Sequence, residues 1–151
     1  MSAGTLLQLP PNPAKQTLGL TQRYLVLQLR PLAKKPVTIE INILSLKDKR
    51  QRYRLHLSHK FRTVEVHQLH VQVPLSPLLT PDMWTHFIVD VAELTSYFFK
   101  NKDFGSIDSV GLHSGCRLRV STACMSGHQR TSFLNHCVFL ICIRKCLHSR
   151  R

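Results

Sequence analysis

Acidic residues are scarce in this chain: 8 Asp and Glu stand against 21 Lys and Arg among 151 residues, for a net charge of +13. The carboxylates are scattered, so the convergent acid–base pair or nucleophile–base constellation that catalysis requires is missing. There is no glycine-rich phosphate loop, and no serine sits in a nucleophile-elbow sequence. Neither an enzyme nor a cofactor is expected. Long apolar runs are also absent, and none reaches the ~18 residues needed to cross a bilayer. Residues 133–143 come nearest and are interrupted by Asn135 and His136. Residues 1–20 are proline-rich and broken rather than charged-then-apolar, so no secretory signal is read. The cysteines, Cys116, Cys124, Cys137, Cys142 and Cys146, are odd in number and confined to the last third. They are expected reduced, in a cytoplasmic setting.

Tight metal-ligand spacing is lacking too. Four residues separate Cys137 from Cys142 and three separate Cys142 from Cys146, which fits no common structural zinc site. His56 and His59, like His67 and His70, are two residues apart. On a strand that spacing sends the two rings to opposite faces unless the backbone turns between them. No metal is expected. Cys116, beside Arg117, reads as a small core cysteine at a strand start rather than an activated thiol. Asp90 with Glu93 reads as a helix-capping arrangement.

What the chain does have is alternation. In residues 37–73, Val37, Ile39, Ile41 and Ile43 share one face, with Thr38, Glu40 and Asn42 on the other. Tyr53, Leu55 and Leu57 repeat the pattern against Arg52, Arg54 and His56, and Leu69, Val71 and Val73 repeat it against His70 and Gln72. Period two marks strands with one buried and one wet face. Residues 20–30 alternate likewise around Leu25, Leu27 and Leu29, but both faces are apolar in the middle, which predicts a central strand. Further strands are expected around Phe87 and Val89, through Ile107, Val110 and Leu112, and over residues 116–120, with helical turns over 92–99.

These segments predict an all-β, antiparallel β-sandwich with one short helix. Residues 1–17 form a proline-rich edge segment, 18–122 the sandwich domain, and 123–151 an irregular, basic, Cys- and His-containing tail outside it. A read-through from alternative splicing would give a tail of the same composition.

The wet face of the second organising strand is basic: residues 47–62 hold seven Lys or Arg and a single acid, Asp48. The candidate partner-binding residues are Lys49, Arg50, Arg52, Arg54, Lys60 and Arg62, joined by Arg117 and Arg119, which share one face of the last strand. Such a field draws polyanionic partners. Nucleic acid is one class, with Tyr53 or Phe61 as stacking rings. Against it, Tyr53 shares its face with Leu55 and Leu57, and no RNA-recognition or cold-shock motif is present. A solvated basic face kept for solubility is the third option.

In order, LQLP, KQTLGLTQRYLVLQLRPL, RQRYRLHLS, MWTHFIVDVAELTSYFF and SVGLHSGCRLRV resemble the cilia- and flagella-associated-protein-twenty domain family. Within it they are most similar to the N-terminal domain of a larger, domain-containing relative. The resemblance covers about residues 6–120 and rests on packing signatures, not on a catalytic motif. It implies a jelly-roll-like sandwich acting as a structural protein on microtubules of the ciliary or flagellar axoneme, centriole or basal body. Tubulin or other microtubule-doublet and centriole proteins are the implied partners, with no small-molecule substrate. It also implies strands before LQLP that this chain does not carry, hence a sandwich incomplete at its N-terminus, as in a truncated or alternatively spliced and nonfunctional form.

Overall fold

A computed structural model describes residues 6–48, 51–76, 78–100, 103–113, 115–124 and 137–141. The strands are β1 (Leu6–Leu9), β2 (Tyr24–Pro31), β3 (Thr38–Ser45), β4 (Arg52–Ser58), β5 (Glu65–Val66), β6 (His70–Pro74), β7 (Thr85–Asp90), β8 (Phe104–His113), β9 (Cys116–Cys124) and β10 (Cys137–Ile141). The helix α1 (Val91–Phe98) follows β7 directly. Two sheets result, one ordered β1-β8-β3-β4-β6-β5 and the other β10-β7-β2-β9. This is the expected all-β sandwich with one short helix.

Alternation places the core between the sheets. Ile39, Ile41 and Ile43 of β3, Leu55 and Leu57 of β4, and Val71 and Val73 of β6 are completely buried from one side. Leu25, Leu27 and Leu29 of β2 and Phe87 and Val89 of β7 meet them from the other. Each such side chain contributes about 1.5 to 3 kcal/mol of burial free energy. β2 is central, paired on either side with β7 and β9, as its apolar faces predicted.

The sequence turns from strand to helix at Asp90, whose buried side chain accepts from the Glu93 N–H at 3.1 Å and so caps α1. The same carboxylate receives a forked Arg23 guanidinium, with Nε at 2.9 Å and Nη2 at 2.7 Å. That bonding raises the Arg23 pKa still further above its ordinary value, so the guanidinium stays charged throughout the working pH range. At the β8–β9 turn Gly115 has φ +142°, and an added Cβ there would meet the Pro36 carbonyl oxygen. Only glycine lets the two chain segments approach this closely.

Three features depart from the sequence reading. First, not all pairing is antiparallel. β6 lies parallel to β4, and β10 parallel to β7. The residues between β4 and β6 carry the chain back to start a strand in the same direction, with β5 as the edge hairpin partner. Second, Leu69 does not share the face of Val71: β6 begins only at His70, so Leu69 falls in the preceding turn and is 40% exposed. Third, residues 123–124 extend β9, and residues 137–141 of the segment read as tail form β10. The remainder of that segment lies outside the described residues. No helix among the described residues is long and apolar enough to cross a membrane.

Candidate polyanion interface

Strand β4 positions Arg52 and Arg54 on the outer face of the six-stranded sheet, because Tyr53 and Leu55 are committed to the core. Tyr53 packs against Phe99 with ring centroids 5.0 Å apart, so it offers no stacking face to a base. Lys60 and Arg62 lie in the loop that leaves β4, and both are exposed. That loop is set by Ser58, whose hydroxyl accepts the Lys60 N–H at 3.2 Å. Phe61 turns its ring edge-on to His56, centroids 4.9 Å apart. Arg54, Lys60 and Arg62 therefore run along β4 and into its loop.

The four described cations of this face are not equivalent. Arg52 Nε lies 2.8 Å from Oδ2 of Asp108, a carboxylate that is 2% exposed, while Arg52 Nη2 donates to the Pro13 carbonyl at 3.0 Å. The Arg52–Asp108 contact is off the hydrogen-bonding direction, since Oδ2 has no hydrogen-bond partner; it is an ion pair held by charge. Arg52 is thus engaged in the fold. Arg54 donates to Asn42 Oδ1 at 3.1 Å, and no carboxylate among the described residues pairs with Arg54, Lys60 or Arg62. Lys49 and Arg50 lie outside the described residues.

Arg117 and Arg119 correct the expectation of one continuous basic face. Both are exposed on β9, whose inner residues Cys116 and Leu118 pack on the core. β9 belongs to the four-stranded sheet, so its arginines project from the opposite side of the sandwich. There Arg30 of β2 is the direct partner of Arg117, and the Arg119 guanidinium sits 4.2 Å from the centroid of the Trp84 ring.

The histidines and Cys116 add constraints. Glu40 Oε1 is 3.6 Å from His56 Nε2 and 3.3 Å from His113 Nε2, on the same outer face as Arg54. Burial pushes the His56 imidazole below its ordinary value; Glu40 opposes this, while Arg54, His113 and His70 reinforce it. His59 accepts the Val37 N–H at Nδ1, 3.2 Å away, and burial lowers its pKa also. His67 and His70 do converge, because the chain turns between β5 and β6: the His67 N–H bonds the His70 carbonyl and the rings stack 4.3 Å apart. No group of three or more His, Cys, Asp or Glu among the described residues is placed to hold a metal ion. Cys116 is half-buried and burial pushes its thiol up to about 11, the opposite of activation.

Reasoning from spacing alone missed Asp108, Glu40, Arg30 and Trp84. None lies near its partner in sequence, so no local signal marks them. A family model of the CFA20 domain matches residues 1–122. With that match spanning 122 of 151 residues and the two-sheet sandwich in place, the chain belongs to the CFA20 domain family, whose name associates it with cilia and flagella.

Proposed function

We propose that the chain is a non-enzymatic structural protein of ciliary, flagellar or centriolar microtubules. It engages the acidic surface of tubulin through the outer face of the six-stranded sheet. The observation that carries this reading is the row Arg54, Lys60 and Arg62, exposed and without a carboxylate partner among the described residues, in a family named for cilia and flagella. Unneutralised cations on β4 and the loop that leaves it attract an acidic lattice at long range and lose that attraction as salt rises. Tubulin fits better than nucleic acid, because the aromatic rings near the row are used internally: Tyr53 in the core and Phe61 against His56.

Microtubule co-sedimentation tests this. The variant R54E/K60E/R62E should bind at least about tenfold more weakly than the parent chain, since reversed charges would then face an acidic surface. Arg52 is left intact in that variant so that the fold is not perturbed. Unchanged pelleting of the variant, or RNA that displaces the chain from microtubules at equal charge, would count against the reading.

A further inference from the structure

The arginines of the four-stranded sheet lie apart from the β4 row. Arg30 and Arg117 are direct cross-strand partners in antiparallel β2 and β9, a pairing of like charges that weakens a sheet. The register shifts beside them, between Gln28 and Leu29, so that Arg119 falls in the irregular stretch of β9. From there its guanidinium reaches across β2 to lie over Trp84, just before β7. Bulges of this kind re-aim a side chain, and the indole holds the guanidinium in place by a cation–π contact.

The fold leaves these charges largely unanswered. Among the described residues, the one carboxylate in reach of the three guanidinium groups is Asp82, 3.8 Å from Arg30 Nη2 and beyond hydrogen-bond length. Arg30 Nε is enclosed yet has no hydrogen-bond partner, which for a buried donor calls for an explanation. Charges on an edge strand such as β9 can serve to block unwanted strand pairing. That purpose accounts for Arg117 and Arg119 but not for Arg30, which lies one strand in.

We propose that Arg30, Arg117 and Arg119, set around Trp84, form a second docking surface whose occupant is an acidic polypeptide segment. Guanidinium groups match carboxylates in planar, forked geometry. Nucleic acid fits less well, because Arg119 already occupies one face of the Trp84 ring, the single aromatic ring placed among these arginines. This surface is on the far side of the sandwich from Arg54, Lys60 and Arg62, and its existence does not rest on microtubule binding by that row.

Trp84 is the single tryptophan of the chain, so its emission reports on this surface. The full chain is titrated with deca-glutamate at low salt, in parallel with R117E, R117Q and R54E/K60E/R62E, each checked by a thermal melt. The parent chain should show a saturable change in emission. R117E should weaken it by about tenfold or more and R117Q by less, while R54E/K60E/R62E should retain it. Three results would overturn the assignment: no emission change in the parent chain, binding by R117E and R117Q equal to the parent, or tighter binding of a deca-uridylate RNA than of the peptide. Loss of the response in R54E/K60E/R62E with R117E unaffected would place acidic-peptide binding on the six-stranded sheet alone.

Discussion

Replacing Arg52 by Gln should destabilise the fold, whereas replacing its neighbour Arg54 should not. Arg52 pairs at 2.8 Å with Asp108, whose side chain is 2% exposed. At an effective dielectric of about 20 that separation corresponds to roughly 6 kcal/mol of gross attraction, much of it offset by the desolvation of the carboxylate. Breaking a buried pair from one side costs about 3 to 5 kcal/mol. The Arg52 side chain is 50% exposed, so water and salt already screen the pair and the expected cost falls to about 2 kcal/mol. For a chain of this size that lowers Tm by about 4 to 8 °C. A double-mutant cycle isolates the pair: in a D108N background, R52Q should cost less than about 0.5 kcal/mol, because the buried charge is gone. Urea unfolding of the four proteins measures it. Equal cost of R52Q in both backgrounds, or no cost in either, would refute the assignment of Arg52 to the fold and return it to the binding face.

Acid should weaken the fold through the histidines. Burial holds His56 and His59 below their ordinary pKa, so as pH falls below about 6.5 the unfolded chain takes up protons that the folded chain refuses. Tm should be flat above that pH and decline below it, and H59Q should shallow the decline; a Tm that rises on acidification to pH ~5 contradicts this. Cys116, its thiol near 11, should alkylate at pH 8 far more slowly than in the unfolded chain, as followed peptide by peptide in mass spectrometry; equal rates would exclude the burial. G115A should lose about 3 kcal/mol or fail to fold, because φ of +142° and the contact with the Pro36 carbonyl both oppose a Cβ. A melt matching the parent chain would show that the turn can relax.

Much of this architecture was legible because side-chain alternation is local. The buried faces of Ile39, Ile41 and Ile43, of Tyr53, Leu55 and Leu57, and of Leu25, Leu27 and Leu29 follow from period two alone. The capping role of Asp90 is local as well, since the Glu93 amide it accepts lies three residues on. What was not legible is long-range. Alternation assigns Arg117 and Arg119 to one face of their strand, but not to one sheet or the other, so it does not separate the two basic rows. Arg52 looked as free as Arg54 because Asp108 reaches it across β3 from a strand far along the chain. The stacking of His67 on His70 depends on a turn between strands, which the apolar alternation of Leu69 with Val71 and Val73 masks.

The claim that Arg54, Lys60 and Arg62 face an acidic lattice is tested most directly by zero-length carboxyl-to-amine cross-linking of the chain on assembled microtubules, read by mass spectrometry. Lys60 is the amine of that row, and it should carry the dominant cross-link to aspartate or glutamate of tubulin. Cross-links that form through Lys47 or Lys100, with Lys60 unmodified, would contradict the account.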